Sequence, residues 1–569
     1  MASPISFQGL STGLQTDQLV NAILQQEAQP LQRLQNKQTR NNQRVAAFQA
    51  LKSNMTSLST SLASLGGTSF NARTVSSTDS NNTHVSASAS GSAAGSYDLK
   101  VSQTATKGRV SPTLVGGVPS NLAVADPLAT PVFSGGSASF AIQGTDGVIK
   151  TLTLGGTNNT LYGLRDAINA LGAADPNVVG SKGLGVVATV VNTGSGANPY
   201  QLVLTAKDTG TGTTGGVVTI ADVTAGGAVN TLGIGAGTVD SMAAPTTLTG
   251  GLASGAADVA KDALFSVNGI ELTRKSNIVT DAVDGVTFTL KQGGQTTATT
   301  LTVALDKSGI TSAMQDVISK FNALVKTYKD ASASNGALSN DSSARSLIAQ
   351  VRASLSGVPE GMPATSPFSS AADLGIKTNR DGSLSLDVTV FQAALEKDSA
   401  AARRVFAFTG DTTNGAVTVY GGGAKTTTGA VDFNITSFVS GGAVSGTFTV
   451  NGTDYNLSGS NGTLTGAAGT PLEGLILSVT GAGAGSLNLT RGIGQAAQDL
   501  ISDFTASTTG NLSVLLSSIN NQNAALSKQI FLGEQRLDRR KEVLQAQFSK
   551  LEATIGQLQA AGQSLGGIR

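Results

Sequence analysis

The sequence predicts an elongated, multidomain α+β protein with a terminal α-helical coiled coil, an α-helical bundle and inserted β-rich domains. Leucines recur every seven residues near the C-terminus, and apolar residues near the N-terminus and in the centre follow steps of three and four. The segments between them alternate apolar and polar side chains and are rich in glycine, with 70 Gly among 569 residues. This length allows three or four domains.

The C-terminal segment has the most regular pattern. Five leucines lie seven residues apart, and two further apolar residues each follow a leucine by four positions. Such a narrow apolar stripe indicates a coiled-coil helix, which needs a partner to bury it. These seam positions are Leu537, Leu544, Leu551, Leu558 and Leu565, with Phe548 and Ile555.

The N-terminal segment offers a partner for that helix. Leu24, Leu31 and Leu34 follow helical steps, and the polar residues Gln38 and Asn41 continue the same seam. Pro30 is expected to kink or restart the helix. The two terminal stripes predict a helical hairpin within one chain, and contacts between subunits could add to it. We expect the named leucines of both ends, together with Phe548 and Ile555, to form the oligomer and filament interface.

The middle of the chain is mixed. Apolar residues from Ile310 to Tyr328 step by four and three, which predicts a helix, and Asp341 is a candidate N-cap for the next one. Short helices are also expected near 389–409 and 495–505. The pairs Asn268-Gly269 and Asn451-Gly452 each separate two alternating segments and predict β-hairpins. One helix at 161–171, followed by strands at 186–191 and 201–205, is expected inside the β-rich part.

These patterns predict a nested domain order. Residues 1–45 and 530–569 form the terminal coiled coil, and residues 46–99, 308–410 and 491–529 form the helical domain. A β-rich region spans 100–307, with an inner domain at about 118–257, and a second β module spans 411–490. Nesting brings both termini to the same end of the protein.

The amino-acid composition excludes most kinds of catalytic site. The chain has no Cys, which excludes disulfides, thiolate nucleophiles and iron–sulfur clusters. Its single histidine, His84, lies in a polar stretch and is expected to be an ordinary surface or strand residue, so neither a Ser-His-Asp triad nor a histidine-rich metal site is expected. The net charge of +1 gives no electrostatic argument for nucleic acid. No enzyme activity, cofactor or metal is predicted.

No targeting signal is predicted either. The N-terminal residues have neither the cationic start nor the apolar core of a secretory signal peptide. The most apolar run, residues 183–191, is too short to cross a bilayer, so no membrane insertion is expected.

The remaining short motifs are weak. Residues 210–215 match G-x-G-x-x-G, but a strand rather than a helix is predicted to follow, so nucleotide binding is not expected. Asp381-Gly382 is best interpreted as a hairpin turn rather than half of a metal or glycosidase site. The basic triplet 539–541 lies between Asp538 and Glu542 and is interpreted as a solvated helix face.

Several separated stretches form an ordered set that covers most of the chain. They are Gly9–Asp17, Gln29–Leu31, Gly95–Gln103, Leu164–Asn169, Val187–Asn192, Leu202–Gly210, Phe265–Gly269, Arg274–Asn277, Gly285–Thr287, Phe321–Val325 and Leu374–Asp387. Together they resemble the flagellar hook-associated protein 2 family, the filament-capping proteins of bacterial flagella. Ser11 replaces a glycine common in the family, and the 411–490 module varies in length.

This resemblance implies a structural role at the distal end of the flagellar filament. Such proteins leave the cell through the flagellar type III export channel without a cleaved signal peptide. They assemble as a homo-oligomeric ring, commonly of five subunits, in which the terminal helices act as legs and the β domains form a plate. The implied partners are flagellin, hook–filament junction proteins and an export chaperone. The cap promotes ordered folding and insertion of flagellin.

Two other functions stay open on sequence grounds. Another axial flagellar component, such as a hook–filament junction protein or flagellin, would share the paired terminal helices. A surface adhesin for mucus or host glycans could use the loops at 207–262 and 411–490, although the aromatic content of 4% is low for sugar stacking.

Overall fold

The computed structural model describes residues 16–67, 69–91, 94–111, 121–133, 137–155, 159–172, 183–223 and 232–566, with side chains up to residue 563. The opening motif at 9–15 and the seam position Leu565 therefore lie outside the described residues or side chains. The described chain divides into two compact units, Met1–Phe70 with Lys307–Arg569, and Asn71–Asp306.

Helices dominate the first unit, and one lies in the second. Asp341 caps its helix as predicted, since its carboxylate accepts hydrogen bonds from the backbone N–H groups of Ser343 and Ala344. A separate helix begins at Gln29, immediately before Pro30, which confirms the predicted restart. The helices are α1 Thr16–Glu27, α2 Gln29–Gly67, α3 Leu161–Ala170, α4 Lys307–Ser332, α5 Ser342–Ser356, α6 Val388–Phe406, α7 Ile493–Thr505 and α8 Asn511–Gly566.

The core of the helical part follows the predicted steps of three and four. On α2, the buried stripe runs from Phe48 to Leu65, and on α4 it includes Phe321 and Leu324. A side chain every three or four residues points to the same side of a helix, so each stripe meets its neighbours along its length. Between α5 and α6, a small hairpin forms at Asp381-Gly382 as predicted, with Thr378 paired to Leu384.

The strands of the second unit come first in the chain. They are β1 Arg73–Ser77, β2 Val85–Ala89, β3 Gly95–Gln103, β4 Arg109–Val110, β5 Ala123–Val124, β6 Ser137–Gln143, β7 Ile149–Gly155, β8 Val186–Asn192, β9 Tyr200–Ala206, β10 Thr219–Val223, β11 Ala236–Val239, β12 Leu248–Gly250, β13 Leu252–Ala253, β14 Ala263–Val267, β15 Ile270–Arg274, β16 Ile278–Val283, β17 Val286–Leu290 and β18 Thr299–Leu305.

These strands form an outer and an inner group. The outer group has a five-stranded sheet, β1-β18-β3-β14-β15, and a three-stranded sheet, β16-β17-β2. Asn268 and Gly269 both have positive φ angles in the predicted hairpin turn between β14 and β15. In the inner group, α3 packs Leu161, Leu164 and Ile168 into a core shared with the sheets around β6 and β9.

The second unit tests two predictions made from the sequence. We grouped β1, β2 and the first part of β3 with the helical domain, but they lie in the second unit. These Ser- and Thr-rich strands are short, so the sequence pattern did not identify them. The stretch 210–215 is followed by β10 rather than a helix, as expected. Its Thr211 N–H donates to Asp262 and its Thr213 N–H to the carbonyl of Thr145, so the loop is occupied by contacts within the domain.

The strands of the first unit form the small hairpin and a β module. They are β19 Ile376–Thr378, β20 Leu384–Leu386, β21 Phe408–Thr412, β22 Val417–Gly421, β23 Gly429–Phe438, β24 Ala443–Val450, β25 Thr453–Ser460, β26 Thr463–Thr465, β27 Ile476–Val479 and β28 Gly483–Arg491.

The β module is a barrel-like sheet. Its order is β21-β28-β23-β24-β25-β26-β27-β22, so the two end strands are consecutive in the chain. They also lie together, since a Cβ on Gly410 of β21 would collide with Val419 of β22. Closing the order in this way leaves few free strand edges. The interior includes Phe433 and Phe448, whose ring centroids are 5.8 Å apart.

We predict that Phe448→Ala lowers the free energy of unfolding of the β module by about 3–5 kcal/mol, because it removes a fully buried ring. Urea denaturation of the full chain measures the change. Tyr420→Ala is the matched control, since that ring is 68% exposed, and should shift stability by less than about 0.5 kcal/mol. Equal effects of the two substitutions would contradict the described interior.

Candidate assembly surface of the terminal helices

The terminal helices pair in antiparallel fashion. Side-chain hydrogen bonds join the start of α1 to the end of α8 and the middle of α2 to the beginning of α8. The order of the partners reverses along the two chains, which defines the antiparallel direction. The bonded pairs are Thr16 with Glu552, Glu27 with Arg540, Gln35 with Glu534, Gln38 with Ser527, Asn42 with Asn523 and Lys52 with Ser513.

The first half of α8 uses its apolar residues inside the chain. Its buried residues include Leu512, Ile519 and Leu526, which lie seven positions apart, and Ile530. This seven-residue series is offset from the predicted seam series that runs from Leu537 to Leu565. Over its length α8 contacts α1, α2 and α7, and its hydrogen bonds to α1 come from Arg540 and Glu552 in its second half.

The structure divides the predicted interface residues by exposure. Leu544 is buried, at 5% exposure, while Leu551 and Leu558 are 48% and 66% exposed. Half-burial at the remaining positions means that each still presents apolar surface to solvent. These half-buried positions are Leu24, Leu31, Leu34, Leu537, Phe548 and Ile555.

A groove separates the end of α1 and start of α2 from α8. It has a volume of about 360 Å³ and is lined by residues of both sides, including Leu31, Leu34, Leu532 and Leu537. The missing side chain at Gly533 brings the helices together here, because an added Cβ would lie 3.1 Å from Leu31 Cδ1.

A polar layer interrupts the apolar seam between α2 and α8. Asn41 is 6% exposed, and its Nδ2 has no hydrogen-bond partner. On α8, Asn523 donates from Nδ2 to Asn42 Oδ1 at 2.7 Å, while its own Oδ1 accepts no bond. Buried polar groups without partners are destabilising, so this layer is a weak point in the seam. The sequence prediction of polar seam positions is confirmed for Asn41.

A charged cluster lies where the β module rejoins the helices. Arg491, the last residue of β28, donates to the carbonyl of Thr426 at 2.6 Å and forms an ion pair with Glu360 at 3.1 Å. Its Nε lies 3.7 Å from Asp499 Oδ2, beyond hydrogen-bonding distance. Burial raises the pKa of Asp499, and the Gln495 hydrogen bond and the charge of Arg491 only partly oppose this.

The described residues contain no group of three or more His, Cys, Asp and Glu side chains arranged to hold a metal ion. His84 lies at the surface, and its Nδ1 is 3.2 Å from the carbonyl oxygen of Gln292. Among the described helices, none has the length and apolar character needed to cross a membrane.

Comparison with known proteins shows which family the chain is similar to. Residues 12–108 match the family model described as the N-terminus of flagellar hook-associated protein 2, and residues 260–560 match the model of its C-terminus. The B-type flagellar hook-associated protein 2 of Pseudomonas aeruginosa is 31% identical over 384 residues, covering 65% of this chain and 73% of that protein. Flagellar hook-associated protein 2 of Escherichia coli K12 is 27% identical over 417 residues, covering 70% and 79%.

A solved structure has the same fold. The crystal structure of the flagellar cap protein FliD from Escherichia coli, comprising its D1, D2 and D3 domains, aligns with a TM-score of 0.50 and 21% identity. The alignment covers 83% of this chain and 99% of that one. The predicted multidomain α+β class is thereby confirmed.

These matches place the chain among the structural proteins of the bacterial flagellum. Within that class, the chain belongs to the flagellar hook-associated protein 2 family, the cap proteins of the flagellar filament. The resemblance found from the sequence is confirmed. The comparisons favour the cap over the two alternatives, another axial component and an adhesin.

We expect Leu544→Ala to destabilise the terminal helix pair by about 2–4 kcal/mol, because its side chain is buried against the facing helix. Leu558→Ala should cost less than about 0.5 kcal/mol, since that side chain is mostly solvent-exposed. Helical circular dichroism during urea unfolding, recorded on dilute protein, compares the two. A larger loss from Leu558→Ala would contradict the pairing described here.

The raised pKa of Asp499 gives a pH-dependent prediction. The folded protein retains this proton at pH values where the unfolded chain has lost it. The contribution of Asp499 to stability should therefore fall as the pH rises from about 3.9 through the raised folded-state pKa. Asp499→Asn removes this dependence, so wild type should lose stability relative to the variant over that range. Urea titrations at a series of pH values measure the difference, and a difference that is independent of pH would contradict it.

Proposed function

We propose that this protein caps the distal end of the flagellar filament as a homo-oligomeric ring and promotes the folding and insertion of exported flagellin. The observation that carries the proposal is the unused apolar surface of the α8 end, together with family membership. Leu551 and Leu558 have no full cover within the described part of the chain, so a neighbouring molecule could bury them.

The terminal helices would act as legs against the filament end. The partly filled groove between α1, α2 and α8 and the half-buried seam residues leave apolar area for a second contact. Small, partly polar contacts are weak and can break and re-form. A cap needs such contacts, because it must hold the filament while each new subunit enters beneath it.

Export supports the same role. We propose that the chain passes unfolded through the flagellar type III channel to the filament tip, where it works outside the cell. The absence of Cys avoids disulfide errors during passage and refolding. The unpaired Asn41 Nδ2 and Asn523 Oδ1 keep the leg seam weak, which suits a helix pair that must form after export. Hook–filament junction proteins and an export chaperone would be further partners.

The proposal also includes the number of subunits in the ring. A five-subunit ring is proposed by resemblance to the family, with the terminal leucines as leg contacts. The second β module at 411–490 has its own closed core, so it would not depend on ring formation for stability.

We predict that Leu551→Asp abolishes capping while the β domains stay folded, because it places a charge on apolar surface that a neighbour must bury. Filament number and length by electron microscopy, with flagellin measured in the medium, provide the readout. Gln557→Asp is the matched control, since it adds the same charge at an exposed polar position of the same helix. Unchanged filaments in the Leu551→Asp strain would count against leg contacts at this surface.

Deleting the gene in the flagellated host tests the cap itself. Few filaments with abundant soluble flagellin would mean that export works and polymerisation at the tip fails, as proposed. Normal filaments would overturn the cap function. Loss of both filaments and exported flagellin would overturn it too, because it would indicate an earlier structural step.

A further inference from the structure

One side of strand β8 has no strand partner among the described residues. Its inner neighbour is β9, and the pairs run from Val186 with Ala206 to Asn192 with Tyr200. On either side of this ladder, the Lys207 N–H donates to the Gly185 carbonyl and the Thr193 N–H to the Pro199 carbonyl. Because bonding alternates along an antiparallel strand, odd-numbered residues of β8 bond to β9 and even-numbered ones face outward.

The side chain of Asn169 occupies part of that outward edge. From the last turn of α3, its Nδ2 donates to the Ala188 carbonyl at 2.9 Å, and its Oδ1 accepts from the Ala188 N–H at 2.9 Å. A carboxamide has the same donor and acceptor as a peptide group. Asn169 therefore stands where the backbone of an added strand would bond, which shows that a peptide group fits this edge.

The rest of the edge is suited to pairing. Sequence VVATVVN contains no charge, proline or glycine that would discourage an added strand. Val187 and Val191 point to the solvent-exposed face and are 36% and 45% exposed, with the exposed Thr189 between them. Such β-branched side chains stabilise neighbouring strands when they meet across a ladder.

The pattern is complementary to itself. In an antiparallel pair centred on Thr189, Ala188 of one copy bonds with Val190 of the other, and Val187 lies opposite Val191. This register uses the Ala188 groups that Asn169 covers. We propose that Asn169 closes the β8 edge against antiparallel pairing with β8 of a second copy of this chain. A protein that works as a homo-oligomer at high local concentration needs its subunits to meet only through the intended surfaces.

Cross-linking tests the proposal, because the chain has no Cys and Thr189→Cys creates a single thiol. Directly opposed, non-bonded residues of an antiparallel pair are close enough for a disulfide between copies. Asn169→Leu keeps a similar volume and removes both hydrogen bonds. We expect disulfide dimer to form about ten-fold faster or more in the Thr189→Cys, Asn169→Leu variant than with Asn169 present.

Two controls define the cause. Adding Val191→Lys to that variant should abolish the dimer, since a lysine on an exposed edge opposes strand pairing. Asp166→Leu, at an exposed position on the same helix where the side chain pairs with Arg165, should leave cross-linking unchanged. Equal cross-linking of folded Thr189→Cys protein with and without the Asn169→Leu substitution, or a dimer that resists Val191→Lys, would overturn the proposal.

Hydrogen exchange on the unsubstituted chain gives a second test that needs no variant to fold. The Ala188 amide should exchange slowly because Asn169 bonds it, and the neighbouring outward amide of Val190 should exchange about ten times faster or more. Equal protection of the two amides would show that the edge is already covered along its length, which would overturn the proposal. Both tests are independent of filament capping.

Discussion

The antiparallel packing of α8 against α1 and α2 is the constraint on which the helical unit depends. It joins residues at opposite ends of the chain, so that Thr16 bonds with Glu552 and Lys52 with Ser513. Neither stripe would be stable alone, because an isolated helix with a narrow apolar seam is marginal in water. Pairing supplies the buried area and leaves Leu551 and Leu558 of α8 exposed.

Both β insertions begin and end with strands that pair with each other. In each, the first strand pairs with the last: β1 with β18 in the second unit, and β21 with β28 in the β module. An insertion closed this way leaves and rejoins the chain at neighbouring points, so it can fold on its own core without disturbing the helices that flank it. Arg491 strengthens the second junction by binding carbonyl groups of the module and the carboxylate of Glu360.

The two halves of α8 differ in burial. Its first half is buried and contributes to the fold, whereas its second half exposes Leu551 and Leu558. The polar layer at Asn41 and Asn523 lies between Leu34 and Val45, where an apolar seam would have been tighter. Under the proposed function, a helix pair that assembles after export and releases repeatedly has reason to stop short of maximal packing.

The sequence by itself determined the helical ends, the caps and most hairpins, because these depend on local spacing and on residues such as Asp341 and Asn451. It also identified the family through an ordered set of short motifs. The strands β1, β2 and the first part of β3 were assigned wrongly to the helical domain, since short Ser- and Thr-rich strands have weak periodicity.

Only the tertiary structure decided which seam residues are buried. The seven-residue leucine series looks uniform in the sequence, yet Leu544 is buried and Leu558 is 66% exposed. Among the described residues, α1 begins at Thr16, which bonds to Glu552, six positions before Leu558. Asn169 is a similar case, as an ordinary polar residue near a helix end becomes an edge cover only when α3 is placed beside β8. Periodicity specifies a face of a helix, but what lies opposite that face depends on residues distant in the chain.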